Sequence, residues 1–198
     1  MFVALLDTSV LWPSLQRDFL LSLHIQGAYR AVWSDAILGE LHVAEVAKLV
    51  RRGAGEVEAV DRADRLIGEM RAHFADSLVS GWEPHEGAFG LPDENDEHVL
   101  AAALVGGAEV IVTHNLKDFP ADLLPSSIEA LSPAKFVRNT VDLSPRVAIA
   151  AVDEIVGRSG RAGPALTREV FLSTLQERYG MAEAVASMRS FVSAGSTG

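Results

Sequence analysis

The sequence predicts an α/β fold with a mainly parallel sheet, and three observations predict it. Short apolar or β-branched runs at 2–6, 29–33 and 109–113 read as strands buried on both faces. Longer stretches with helical spacing of apolar residues separate them, the alternation expected of an α/β chain. Asp7 and Asp118 each follow a strand-like run, at the carboxyl-terminal edge where open α/β sheets hold ligands.

The elements follow in order. Residues 2–6 are a buried strand that stops at Asp7, and 13–26 a helix with Pro13 tolerated in its first turn. A second strand at 29–33 leads to Ser34, an N-cap for a helix reaching about residue 52. Asp35 suits the positive end of that helix, and Gly53 and Gly55 stop it. Residues 56–74 are helical, 77–80 a short strand, and 83–95 a polar loop containing proline and glycine. A helix over 96–105 is closed by Gly106 and Gly107 before the strand at 109–113.

A boundary falls at 132–146, where two Ser-Pro steps flank a short helical stretch. Beyond it, 145–156, 165–179 and 181–192 carry helical periodicity, punctuated by Gly160, Gly163 and Gly180. The final SAGSTG is expected to be unstructured. The division predicted is therefore a domain at 1–131 and a helical C-terminal extension at 132–198.

Composition narrows the function. The 198 residues are 48% hydrophobic, enough for a substantial core. The absence of cysteine excludes disulfides, thiolate metal sites and a cysteine nucleophile. No apolar run approaches the roughly 20 residues that span a bilayer, and no basic signal-type segment precedes the first strand, so a cytoplasmic protein is expected. The net charge of −10 argues against general nucleic-acid binding through a basic surface, though an acidic site filled by cations is compatible with it.

Four carboxylates stand out: Asp7, Glu40, Asp96 and Asp118. Each also has an ordinary reading. Asp7 suits an Asx turn on the Thr8 and Ser9 amides. Glu40 shares a helical face with Ile37, Leu41, Ala44 and Ala47, so it is either turned inward or set at the edge of an apolar stripe. Asp96 lies in a run of acids that favours a helix N-terminus, with Asp93 or Asn95 available as cap. Asp118 suits a turn before Pro120. Together they belong to four different elements, as the ligands of a hard cation such as Mg²⁺ or Mn²⁺ do. The histidines show no HExxH or triad-like setting; His114 alone sits beside the expected pocket.

LLDTSVL around Asp7, SDAILGEL around Glu40, PDENDEHVLAAAL around Asp96 and EVIVTHNLKDFP around Asn115 and Asp118 resemble the PIN-domain family of metal-dependent ribonucleases. Within it the chain is similar to the VapC-like toxins of toxin–antitoxin pairs. The resemblance covers about 1–131 and implies a three-layer α/β/α sandwich. It also implies a pocket for Mg²⁺ or Mn²⁺ formed by Asp7, Asp96 and Asp118 with Asp93 as auxiliary, and Glu40 acting on water. Thr8, Thr113 and Asn115 become orienting groups, and the fourth acid position falls to Asn115 or Asp118. Implied partners are an RNA substrate, a cognate antitoxin and a second copy of the chain.

The expected reaction is endonucleolytic hydrolysis of RNA, leaving 5′-phosphate and 3′-hydroxyl ends, with Lys48, Arg51, Arg52 and Lys117 as candidates for guiding the substrate. A haloacid-dehalogenase-type phosphatase fits poorly, because its second aspartate would fall at Ser9. The alternatives kept open are a housekeeping RNA-processing nuclease and a non-catalytic PIN-like binding module. Convergence of the acids separates the last from an enzyme.

Overall fold

A computed structural model describes residues 1–160 and 165–195. The described elements begin with β1 (Val3–Leu6), α1 (Thr8–Leu11), α2 (Ser14–Ile25), β2 (Arg30–Ser34), α3 (Asp35–Arg51), α4 (Glu56–His73) and β3 (Leu78–Val79). They continue with α5 (Glu97–Val105), β4 (Val110–Val112), β5 (Glu129–Leu131), α6 (Pro133–Leu143), α7 (Pro145–Arg158), α8 (Arg168–Tyr179) and α9 (Ala182–Gly195). Two compact units emerge, one of residues 2–12 and 31–130, the other of 13–30 and 131 onward with Met1.

The first unit is built on the sheet, whose strand order is β3-β2-β1-β4-β5. β1 runs parallel to β4, with Ala4, Leu5 and Leu6 opposite Val110, Ile111 and Val112; β2 runs parallel to β3, with Trp33 opposite Leu78. Leu5, Leu6, Val32, Trp33, Ile111 and Val112 are all fully buried. Burial on both faces is why these strands read as continuous apolar runs. The chain steps outward from β1 to β2 to β3, then returns to β4. Right-handed crossovers place α3 and α4 on one face and α5 on the other, which makes three layers. The reversal lies between β1 and β4, and ligands in such sheets sit beyond the strand ends at that point.

Local chemistry sets the element ends. Ser34 Oγ accepts the Ile37 N–H at 3.3 Å, the predicted cap of α3. Gly106 is required by packing: a Cβ there would lie 2.8 Å from Val79 Cγ2 and 3.0 Å from the Ala102 carbonyl. Gly107 follows with φ +64°, and its turn returns the chain to β4.

The second unit is helical. Phe19 meets Phe171 edge-on at 5.7 Å, and Tyr29 meets Phe136 at 4.8 Å. The Tyr29 hydroxyl donates to the Leu20 carbonyl at 3.0 Å, satisfying its buried polar end. Gly180, left-handed at φ +68°, ends α8, and the Gly180 and Met181 N–H groups both bond Leu175 O.

Several expectations shift. The short helix α1 and the strand β5 were not foreseen, each being too short to show a period. The strand at 77–80 shrinks to Leu78–Val79 after a 3₁₀ turn at Ala75–Ser77, and the helix at 165–179 starts only at Arg168 behind its Thr167 cap. Ser193, Ala194 and Gly195 of the expected tail belong to α9, while 196–198 and Gly163 lie outside the described residues. The step at 131–132 falls beside the 130–131 break between units, and residues 13–30, read with the first domain, group with the second unit. Among the described residues, no helix is long and apolar enough to cross a membrane.

Candidate metal centre

Every acid singled out from the sequence lies in the sheet unit. Asp7 directly follows β1, its N–H bonded to Val112 O of β4 at 3.1 Å. The side chain is 6% exposed, and its Oδ2 accepts from Ser9 Oγ at 2.6 Å and Thr113 Oγ1 at 2.8 Å. The Asx turn on the Thr8 and Ser9 amides does not form, because two hydroxyls take the carboxylate instead. Both hydroxyls are anchored in turn. Ser9 Oγ accepts the His114 N–H at 3.1 Å, and Thr113 Oγ1 accepts the Asn115 N–H at 2.9 Å. A buried carboxylate is thereby fixed by neutral donors with no cationic partner of its own among them.

Asp96 occupies the last residue before α5 and makes no capping bond of its own. Asp93 caps the preceding turn, accepting the Asn95 N–H at 3.0 Å and Asn95 Nδ2 at 2.9 Å. These bonds from Asn95 hold Asp93 below the ordinary carboxylate range. Asp118 is buried in the 3₁₀ turn Leu116–Asp118, anchored by the adjoining buried Phe119. One carboxylate oxygen from each of Asp93, Asp96 and Asp118 lies within 4.8 Å of the others. Asn115 donates Nδ2–H to Asp96 Oδ2 at 3.4 Å. Of the two candidates for the fourth position, Asp118 lies with Asp93 and Asp96, and Asn115 braces Asp96.

Electrostatics describes the cluster from another side. Burial, followed by the fields of Asp7, Asp118, Asp93 and Glu40, pushes Asp96 up to about 6. A cation among these acids would relieve the repulsion that raises Asp96, and carboxylate oxygens suit the hard ions Mg²⁺ and Mn²⁺. The donor set therefore fits such an ion.

Glu40 forms the rim. Its side chain is 46% exposed, so it is not turned into the core. Ile37 and Leu41 are buried, but the face they share with Glu40 emerges into solvent by Ala47. Thr8 Oγ1 donates to Glu40 Oε2 at 2.5 Å and also reaches Ile37 O at 3.2 Å. His98 Nε2 lies 2.9 Å from Glu40 Oε1. Burial opposes ionisation of Glu40, but the hydrogen bonds from His98 and Thr8 and the charge of His98 outweigh it and lower its pKa. For His98, burial disfavours the proton and Glu40 more than restores it, so its pKa is raised.

Sequence reasoning missed His98 and Ser9. His98 is two residues from Asp96, a spacing that puts it in the first turn of the helix that Asp96 precedes, and that was its available signal. Ser9 was visible in Asp-Thr-Ser but was read only through its amide. The neighbouring Glu97 is structural: its buried carboxylate accepts the Phe89 and Leu91 N–H groups at 3.1 and 2.8 Å, ordering the loop before the site. Burial lowers His114 against the opposing field of Asp7.

The basic candidates divide. Lys117 is 82% exposed with Nζ 3.7 Å from Asp118 Oδ2, and Arg51 and Arg52 are exposed. Lys48 is not a surface cation: it is 7% exposed, ion-paired with Glu45, and lies 5.8 Å from the Trp12 ring centroid. Its stem follows the apolar side of α3, which draws the ammonium inward.

A family model described as PIN domain matches residues 3–117. A curated protein of Mycobacterium tuberculosis named "Putative ribonuclease VapC50" is 57% identical over 49 residues, which are 24% of this chain and 29% of that protein. The aligned stretch is thus a minority of either chain. No solved structure matches the chain.

Proposed function

This chain belongs to the PIN-domain family, and on that premise we propose that it is a divalent-metal-dependent endoribonuclease serving as the toxin of a toxin–antitoxin pair. The observation that carries the reading is the convergence of Asp93, Asp96 and Asp118 within 4.8 Å beside the switch point that Asp7 occupies. A binding module has no need to gather three carboxylates so closely at that edge. The toxin assignment draws on the likeness to the protein named VapC50.

In this reading Asp7, Asp96 and Asp118, with Asp93 as auxiliary, hold Mg²⁺ or Mn²⁺. A cation there offsets the charge of a phosphodiester and makes nearby water more acidic. The chain's own residues do the rest. Thr113 and Ser9 prevent Asp7 from rotating. Asn115 keeps one Asp96 oxygen occupied and presents its amide to the substrate side. Glu40, kept ionised at the rim by Thr8 and His98, orients the attacking water and accepts its proton at a carboxylate oxygen. The water oxygen adds to phosphorus, the P–O3′ bond breaks, and the 3′ oxygen leaves and takes a proton from solvent water to become a hydroxyl, so the downstream fragment keeps a 5′-phosphate. Exposed Lys117 favours approach of the anionic backbone.

In the same reading 1–131 serves as the nuclease domain and 132–198 as a helical extension without catalytic acids, and the proposed site residues all lie within the sheet unit, 2–12 and 31–130. The proposed partners are RNA, an antitoxin that masks the acids, and a second copy of the chain; the proposed location is the cytoplasm. The test is cleavage of labelled RNA with Mg²⁺ or Mn²⁺, with EDTA, and after the ion is restored. Cleavage that stops in EDTA and returns with the ion supports the reading. Undiminished cleavage in EDTA refutes it, and inactivity on tRNA, rRNA and mRNA alike favours the binding module.

A further inference from the structure

His98 is hydrogen-bonded to Glu40, and the proposed reaction uses it only to keep that carboxylate ionised. It is 7% exposed, its Nε2 lies 2.9 Å from Glu40 Oε1, and its Nδ1 is buried with no hydrogen-bond partner among the described residues. The Trp82 ring lies against it, centroids 5.9 Å apart and planes inclined at 56°. Burying an imidazole with one nitrogen unpaired is costly, so the bond made by the other nitrogen must be strong enough to hold the ring.

The donor direction follows from Glu40. Its Oε2 already accepts from Thr8, and an ionised carboxylate only accepts, so His98 Nε2 carries the hydrogen. Thr8 belongs to α1 and His98 to α5, so the two oxygens of one α3 side chain are held from two different elements. Without His98, a side chain 46% exposed keeps one tether and is free to turn about it. His98 lies in the first turn of α5, two residues after Asp96 at its N-cap, so the start of that helix joins the rim acid to the acid cluster.

We propose that His98 is a positioning residue whose Nε2–H fixes the carboxylate of Glu40 relative to Asp96. This rests on the nuclease reading for its effect on rate, but not for the bond itself.

Two measurements separate these. Nitrogen NMR of the imidazole of His98 in the full chain should show a hydrogen on Nε2, with a shift of the Nε2 signal in Glu40→Ala. An Nε2 without hydrogen, or indifference to Glu40→Ala, overturns the proposal even if RNA cleavage is vigorous. In the cleavage assay, His98→Leu is expected to lower kcat roughly 10–100-fold, the usual cost of losing such a support, with KM changed less than about 3-fold. His98→Gln, whose side-chain amide offers an N–H near the Nε2 position, should recover most of the loss. In a Glu40→Ala background His98→Leu should add little further. Equal defects in the Leu and Gln variants with unchanged melting, or full additivity with Glu40→Ala, overturn it. If wild type cleaves no RNA, the nuclease reading fails alone and NMR decides the bond.

Discussion

Thr113 and Asp7 stand at the ends of neighbouring parallel strands, and the Thr113 hydroxyl donates to Asp7 Oδ2 at 2.8 Å. The same oxygen accepts from Ser9, so two hydroxyls from two segments fix one buried carboxylate. The aspartate at the switch point is positioned by the sheet register itself.

Thr113→Val keeps the shape and removes the donor. It should cost about 1–2 kcal/mol, the usual penalty for a buried acceptor losing a partner, and reduce RNA cleavage by roughly 10-fold or more. Thr113→Ser should restore most of both. Urea titration and cleavage rates check this; a Val variant as active as wild type would leave Thr113 without a role.

Asp96 should make stability depend on pH and on ions. Its folded pKa of about 6 lies above its ordinary value of 3.8, so the native state binds the extra proton between these limits. Stability contributed by that proton is present below about pH 4 and lost as pH rises through 6. Asp96→Asn in EDTA at pH 7.5 should therefore melt higher than wild type. About 1 kcal/mol, allowing for solvent screening at a partly open site, corresponds to roughly 2–4 °C for a chain of this length. Adding Mg²⁺ should raise the melting point of wild type and have little effect on Asp96→Asn. A variant less stable than wild type in EDTA at pH 7.5 would contradict the repulsion.

Lys48→Ala should behave as a packing mutant. The change strands Glu45, 9% exposed, without its ion-pair partner and removes the ammonium from beside Trp12. A loss of about 2–4 kcal/mol in urea unfolding is expected, with RNA affinity of the folded protein unchanged. Weaker RNA binding at undiminished stability would return Lys48 to the substrate path.

Gly106→Ala places a methyl group 2.8 Å from Val79 Cγ2, where α5 passes over the sheet. Overpacking of this kind costs about 1–3 kcal/mol. Because the contact is remote from the acids, thermal stability should fall while the cleavage rate at low temperature stays near that of wild type.

Much of this was legible in the residues. The strands β1, β2 and β4 showed as apolar runs because both faces are buried, and Ser34 marked the start of α3 because its hydroxyl caps it. The acids showed through their placement after those elements. Three things were hidden, each for a physical reason. Glu40 shares a helical face with buried Ile37 and Leu41, but only distance from the sheet decides where a face leaves the core. Lys48 carries a charge that composition counts as surface, yet its long stem lets it reach Glu45 and Trp12. His98 gains its meaning from Glu40, 58 residues away, a separation no local pattern encodes.

The central claim is that the converging acids hold a cation and that this cation is needed to cut RNA. The most direct measurement is the single-turnover cleavage rate of wild type, Asp7→Asn and Asp96→Asn in saturating Mg²⁺, with circular dichroism confirming the fold of each. The account predicts a fall of at least about 100-fold in both variants, comparable to loss of a preorganised charge-stabilising group. Rates within a few-fold of wild type in either folded variant would contradict it.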